Sequence, residues 1–187
     1  PVRARAAPRL GRRGTHLRRD LAGPGGIQAR VAGTLGATAD LAATGTAPLG
    51  LLNAFVEPRR VEGAASFDLA LRGPLSPSSL SGTVRVQGAR LTDPALGTAL
   101  AGVSGTVALA GGQARLDLSG AASDGGTLAA TGTAGLAAPF PASLQVTASG
   151  LVLRDPTLYE ATADARLTIS GPLAGGATVA GAVDVLN

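Results

Sequence analysis

Short segments in which apolar and polar residues alternate, each ended by glycine, recur from Phe67 to Asn187. The clearest unit reads FDLALRGPL from Phe67 to Leu75 and continues as LSGTVRVQG from Leu80 to Gly88. A second copy reads LTISGPL over residues 167–173 and VAGAVDV over residues 179–185, and the heptapeptide LAATGTA occurs at 41–47 and again at 128–134. A period of two residues is typical of β-strands, and internal repeats are typical of extended architectures. The pattern therefore predicts a repetitive β-sheet.

The supply of large side chains limits how such a sheet can be covered. The 187 residues include 28 glycines and 12 prolines but only three Phe, one Tyr and no Trp, Met or Cys. Two packed sheets leave a gap of about 10 Å that interdigitating side chains must fill, and aromatic residues usually dominate that filling. The composition predicts either a narrow solenoid core or a sheet whose apolar face is not fully covered by protein.

Charge and residue content exclude several function classes. All 16 basic residues are Arg, so the chain has neither a Walker A lysine nor a lysine for a Schiff base. Seven of these arginines lie in residues 1–19, and from Asp20 onward nine arginines face twelve acids, which leaves a mildly acidic body. Basic residues are not interleaved with aromatic ones, so no nucleic-acid partner is predicted.

Catalytic and metal sites are not predicted either. The single histidine, His16, lies in the arginine-rich segment, and without cysteine the rest of the chain has no nucleophile and base pair of the usual kinds. The carboxylates stand singly on the polar side of predicted strands or at turns. We predict no enzyme activity, no cofactor and no bound metal.

Two segments are predicted from the pattern. Residues 1–26 lack both strand and helix periodicity and are predicted to be disordered or irregular, whereas residues 27–187 are predicted to form one repetitive β-domain with at least eight antiparallel strands. The clustered apolar residues between Pro48 and Val56 predict one short helix. No apolar run is long enough to span a membrane as a helix, no secretory leader is recognisable, and we expect the chain to be part of a larger protein.

One face of the predicted sheet is apolar. Within each strand, alternate positions carry Leu, Val, Ile or Phe, while charged residues such as Asp68 and Arg115 take the positions between them. The residues expected to line the apolar, concave face are Phe67, Leu69, Leu71, Val84, Val86, Val107, Leu109, Leu116, Leu118, Leu128, Leu144, Val146, Leu167, Ile169, Val183 and Val185.

The order and spacing of several motifs resemble the TamB family, which is similar to AsmA-like proteins. The resemblance begins with LLNAFVEPRRVEG at residues 51–63 and continues through FDLALRGP at 67–74, LSGTV at 80–84 and LTDP at 91–94. It extends through VSGTVAL at 103–109 and GGTLAATG at 125–132, and covers about residues 27–187. Members are subunits of the bacterial translocation and assembly module and are anchored in the inner membrane.

The resemblance implies a long curved antiparallel sheet rolled into an open groove, a β-taco, that bridges the periplasm. It implies phospholipid acyl chains and an outer-membrane TamA-like protein as partners, and a role in phospholipid transport between the membranes, in outer-membrane protein insertion, or in both. The uncovered apolar face inferred from composition agrees with such a groove. The alternative is a closed β-solenoid, as in a secreted adhesin or autotransporter passenger, although the short repeat of about 20 to 25 residues that a solenoid requires is not seen.

Overall fold

The described residues form a single antiparallel sheet in which, after two short N-terminal strands, each strand pairs with the next one along the sequence. The structure is a computed structural model that describes residues 3–4, 10–11, 14–23, 26–94, 98–155 and 159–186. Thirteen strands of the described residues belong to the sheet. The sheet is open, because its first and last strands do not pair with each other.

The strands lengthen from the N-terminal end towards the middle of the sheet. They are β1 (Arg3–Ala4), β2 (Leu10–Gly11), β3 (Gly14–Ala22), β4 (Gln28–Leu35), β5 (Ala39–Pro48), β6 (Arg60–Gly73), β7 (Leu80–Asp93), β8 (Thr98–Ala110), β9 (Gln113–Ala122), β10 (Thr127–Gly135), β11 (Pro141–Asp155), β12 (Tyr159–Pro172) and β13 (Thr178–Leu186). Across the sheet their order is β1, β3, β4 and then consecutively to β13, with β2 paired to β3 beside this path. A 3₁₀ turn at Leu49–Leu52 runs into a four-residue helix, α1 (Asn53–Val56), and a second 3₁₀ turn covers Pro77–Ser79.

The predicted fold class is confirmed. Ten antiparallel strands, β4 to β13, fall between residues 27 and 186, where at least eight were expected. The predicted helix also lies where the apolar cluster indicated, at residues 49–56. The turn at Pro77–Ser79 was not predicted, and its length of three residues leaves the all-β class unchanged.

The sheet begins before the boundary predicted at residue 26. Residues 14–22, expected to be irregular, form β3 and pair along their length with β4. Leu17 and Leu21 alternate with exposed neighbours and lie half-buried on the apolar side. Arg19 lies on the apolar side, opposite Val31, next to Arg18 on the polar side. The two consecutive arginines interrupt the alternation of apolar and polar residues, and for this reason the strand was not predicted from the sequence. The rest of the predicted irregular segment lies mostly outside the described residues.

Several strands carry a β-bulge near the same end of the sheet. The pairing register shifts between Glu62 and Ala64 in β6, between Val86 and Ala89 in β7, and between Ala101 and Ser104 in β8. A further shift lies between Ala148 and Leu151 in β11. An inserted residue reverses the alternation of the residues that follow it. The bulges therefore keep apolar residues on one face, although these residues change between odd and even positions in the sequence.

The described residues do not enclose a core of large side chains. The buried apolar residues are all alanines, and none of the described side chains is less than 2% exposed. Except for Ala99, these alanines occupy apolar-face positions beside larger, half-buried side chains. Among the described residues the apolar face is thus a layer of side chains without a second protein layer over it, which is one of the two alternatives that the composition left open.

Candidate apolar groove

The strand register aligns large apolar side chains in rows that run across the strands. In the central row, Phe67 faces Val84, Val84 faces Val107, and Val107 faces Leu116. Directly opposed residues in an antiparallel pair project to the same face and interact with each other. Side chains that are far apart in sequence therefore form one continuous apolar surface.

The same row continues to the last strand. Leu116 faces Gly132, which in turn faces Leu144. Leu144 faces Ile169, and Ile169 faces Val179 of β13. The row thus crosses eight strands from β6 to β13, with a gap in side-chain volume only at Gly132.

The other sequence-predicted residues lie in rows beside the central one. Leu69 faces Gly82 and Gly82 faces Leu109 on one side, while Val146 faces Leu167 on the other. The register places all sixteen residues on one face: Phe67, Leu69, Leu71, Val84, Val86, Val107, Leu109, Leu116, Leu118, Leu128, Leu144, Val146, Leu167, Ile169, Val183 and Val185.

Sequence reasoning missed two groups of residues on this face. The first belongs to the N-terminal strands, where Leu17 faces Gly33, and Gly33 faces Leu41. The second lies beyond the bulges, where Val61 pairs with Leu91, and Leu91 with Leu100. Alternation alone identifies Leu41 in β5, but Leu17 was missed because Arg19 interrupts the alternation of β3. The second group required knowing which strands contain a bulge.

The two faces of the sheet differ in exposure. In β9, Leu116 and Leu118 are half-buried, whereas Arg115 and Asp117 between them are exposed. Since no other layer covers either face of the described sheet, the difference comes from side chains of neighbouring strands that pack against each other on the apolar face.

A glycine in the middle of a strand removes side-chain volume between large residues. Gly82 lies between Leu69 and Leu109 and has a φ of 130°, which L-residues rarely adopt. An added Cβ there would collide with the backbone carbonyl oxygen of Asp68 and lie 2.8 Å from the Cα of Leu69. This close approach requires glycine and leaves a furrow in the apolar face between two leucines.

An ion pair lies at the end of the apolar face nearest the bulges. Asp93, on the same side of β7 as Leu91, is only 9% exposed, and Arg59 donates from its Nε to Asp93 Oδ2 over 2.7 Å. The backbone N–H of Val61 donates to Asn53 Oδ1 over 2.7 Å, which ties α1 to the start of β6. A cavity of about 660 Å³ opens here, lined by Asn53, Glu57, Pro58, Arg59 and Arg60. This end therefore combines polar groups with the edge of the apolar surface.

The polar face carries charges and short hydroxyl side chains. Arg30 donates from its Nε to Asp20 Oδ1 over 2.9 Å, and this interaction raises the pKa of Arg30. A shallow depression of about 330 Å³ lies beside Gly132 and is lined mainly by polar-face residues such as Arg115, Thr131 and Gln145.

Among the described residues, no group of three acidic or histidine side chains is placed to hold a metal ion, and no helix is long and apolar enough to cross a membrane.

Comparison with known proteins identifies the C-terminal part of the sheet. Residues 113–186, which comprise β9 to β13, match the family model of the TamB C-terminal domain. No curated protein and no solved structure shows a significant match to the chain. Residues 27–112 of the predicted resemblance lie outside the matched segment. The TamB family is a transport and assembly family rather than an enzyme family. The predicted resemblance to the TamB family is therefore confirmed for residues 113–186, which are similar to the TamB C-terminal domain.

Proposed function

We propose that this chain is part of a periplasmic β-groove that guides phospholipid acyl chains between the inner and outer membranes. The observation that carries the proposal is the continuous apolar face from β4 to β13, which has no covering layer among the described residues and no large buried side chain. Each methylene removed from water contributes about 0.8 kcal/mol, so an acyl chain gains stability on such a surface without a specific polar contact.

The rows across the strands supply the path. The proposed lining consists of the sixteen apolar residues predicted from the sequence. We propose that their face is the concave side of the sheet. An acyl chain placed along the central row would pass from Phe67 towards Val179 at right angles to the strands. The furrow at Gly82 and the gap at Gly132 would admit the chain between larger side chains. The polar face, with Arg115 and Asp117 exposed, stays in water.

The envelope setting and the partners are part of the same proposal. In this proposal the groove lies in the periplasm as part of a protein anchored in the inner membrane, with a TamA-like outer-membrane protein at its far end. Guiding a nascent outer-membrane protein along the same face is the second use that the matched family suggests. The secreted-solenoid alternative requires stacked coils, and the antiparallel meander of the described residues does not form them.

Site-specific photo-cross-linking within the full-length protein tests the proposal. A photoreactive residue placed at Leu116, Val146 or Ile169 should yield phospholipid adducts in cells. The same residue at Arg115 or Asp117, on the opposite face of β9, is the matched control and should yield few. Equal yields on the two faces, or none on either, would overturn a lipid path. Adducts of the apolar face with outer-membrane proteins alone would favour the protein-guiding role.

A further inference from the structure

The two ends of the strands differ in charge. In an antiparallel meander alternate turns lie at the same end, so the turns between β4 and β5, β6 and β7, β8 and β9, β10 and β11, and β12 and β13 lie together. None of these five turns contains a charged residue, and Leu75, Phe140 and Leu173 are exposed in them. The opposite end carries α1, which is followed by three exposed charged residues within four positions. A charged group bound beside the apolar face therefore finds partners at the end of the strands that carries α1.

The cavity beside α1 offers charges of both signs. Glu57, Arg59 and Arg60 line it together with Asn53 and Pro58. Its volume of about 660 Å³ lies within the range of about 300 to 1,000 Å³ that is usual for sites of small molecules. A ligand that fits this lining carries a negative group for the arginines and a positive group for the glutamate.

The buried Asp93 fixes one of the two arginines at the margin of the apolar face. Arg59 donates from its Nε to Asp93 Oδ2 over 2.7 Å, while its side chain remains 54% exposed. This bond uses one of the five N–H donors of the guanidinium group. Guanidinium groups bind phosphate oxygens through paired N–H donors, so an arginine held in this way is oriented for a phosphate.

The apolar face begins directly beside this ion pair. Leu91 precedes Asp93 by two positions on the same side of β7, and it faces Val61 of β6 and Leu100 of β8. An acyl chain that lies on these three side chains ends at the cavity. The polar and apolar parts of one amphipathic molecule thus find adjoining surfaces.

The balance of charges favours a zwitterionic headgroup over an anionic one. Arg59 and Arg60 are matched in number by Glu57 and Asp93. The headgroup of phosphatidylglycerol would bring a single negative charge beside Glu57 without a positive group to compensate it. Phosphoethanolamine brings a phosphate for the arginines and an ammonium group, with three N–H donors, for the glutamate.

We propose that the cavity beside α1 is a headgroup site that holds the phosphoethanolamine group of a zwitterionic phospholipid. The phosphate lies against Arg59 and Arg60, the ammonium group against Glu57, and the acyl chains against Val61 and Leu91. The headgroup site rests on the proposed lipid function, and it adds a preference among phospholipids that an apolar surface alone does not supply.

Photo-cross-linking with defined lipids tests the headgroup site in the full-length protein. A photoreactive residue is placed at Leu91, or at Ile169 to report the acyl-chain path away from the cavity. The protein is mixed with vesicles that contain equal amounts of phosphatidylethanolamine and phosphatidylglycerol, and mass spectrometry identifies the adducts. At Leu91 we expect phosphatidylethanolamine adducts to exceed those of phosphatidylglycerol about threefold, the size of effect that one exposed charged contact supplies.

Charge reversal gives the test a sign. Glu57→Lys should reverse the preference at Leu91 in favour of phosphatidylglycerol, because the ammonium group then meets a cation. Glu62→Lys makes the same charge change in β6 opposite Arg90, outside the cavity lining, and should keep the original preference. Lipid adducts at Ile169 in both variants show that the sheet is folded.

A competition experiment separates a lipid headgroup from a simple anion. Glycerophosphoethanolamine, which lacks acyl chains, should reduce the Leu91 adducts at millimolar concentration, whereas inorganic phosphate at the same concentration should have little effect. Equal competition by the two compounds would overturn the headgroup site in favour of an anion site.

The remaining outcomes distinguish the headgroup site from the lipid path on which it rests. Adducts at Ile169 together with an unchanged lipid ratio at Leu91 in Glu57→Lys would overturn the headgroup site and leave the lipid path standing. An equal change in Glu62→Lys would also overturn it, since general surface charge would then explain the preference. Absence of adducts at both Leu91 and Ile169 would overturn the lipid path and the headgroup site together.

Discussion

Gly132 of β10 lies directly opposite Leu144 of β11, and its φ of 144° belongs to a region that residues with a Cβ rarely enter. A Cβ at this position would collide with the carbonyl oxygen of Ser143 and lie 2.8 Å from the Cα of Leu144. The two strands approach each other more closely here than a side chain would allow. The gap in the central apolar row is thus a requirement of the backbone.

The first prediction concerns this glycine. Gly132→Ala should lower the free energy of unfolding by about 1 to 3 kcal/mol, because alanine must adopt a strained φ or separate the strands. Urea denaturation followed by circular dichroism measures the change. Gly50→Ala is the control, since a Cβ at Gly50 would meet its nearest atoms at 3.7 and 3.9 Å, an ordinary contact distance. Equal denaturation midpoints for the two variants would contradict the prediction.

The second prediction separates an open apolar face from a closed core. Val146→Asp should leave the β-sheet circular dichroism spectrum intact. It should lower the free energy of unfolding by less than an uncompensated buried charge does, which is about 3 to 5 kcal/mol. The reason is that water can reach a carboxylate on a face that no other layer covers. Gln145→Asp, on the polar face of the same strand, is the matched variant and should have almost no effect. Loss of the β-spectrum only in Val146→Asp would show that this face is closed.

The third prediction concerns the ion pair at the end of the groove. Arg59→Ala should reduce stability by about 1 to 3 kcal/mol, because Asp93 is buried and loses the guanidinium that binds it over 2.7 Å. A double-mutant cycle with Asp93→Asn isolates the coupling between the two side chains. The same cycle on Arg30 and Asp20, whose side chains are 68% and 78% exposed, should give a much smaller coupling. Similar coupling energies for the two pairs would refute the assignment of a structural role to Asp93.

The fourth prediction concerns the bulge in β11. The backbone N–H of Gly150 donates to Asp164 Oδ1 over 2.7 Å, so Asp164→Ala should leave the bulge without this hydrogen bond. Amide exchange at Gly150 should become faster, and stability should fall by about 1 to 2 kcal/mol. Asp184→Ala removes the carboxylate directly opposite Asp164 and should not speed exchange at Gly150. Unchanged exchange in the Asp164 variant would mean that the bulge is held by the ladder alone.

Most of the sheet could be predicted from the sequence, because period-two alternation depends on backbone geometry and not on distant contacts. Phe67, Leu69 and Leu71 share a face in any extended strand, and glycine and proline marked the turns that bound such strands. The family resemblance rested on motifs in the same strands. The match over residues 113–186 includes the second copy of the repeat.

The bulges and the first full strand were beyond this reasoning. Gly88 and Gly102 look like other glycines in the sequence, yet each lies in a bulge with a φ of 63°, and the bulge reverses the alternation between the residues before it and those after it. Leu91 and Leu100 were therefore not assigned to the apolar face. In β3, Arg19 takes an apolar-face position, and the strand is recognisable only once its pairing with β4 is known. Both failures involve partner strands, which the alternation of a single segment cannot reveal.

The open order of the strands has a consequence for how this architecture changes in evolution. A closed barrel fixes its strand number, since tilt and stagger must return the last strand to the first. A sheet whose strands pair only with their neighbours in sequence carries no such condition, so a hairpin can be duplicated or lost without disturbing the pairs elsewhere. Each hairpin gained widens the sheet by about 10 Å, at roughly 4.8 Å per strand. Leu167 faces Gly181 in β12 and β13 in the same way as Leu69 faces Gly82 in β6 and β7, which is the register that duplication of a hairpin would leave behind. The length of the sheet across its strands is therefore adjustable in steps of one hairpin.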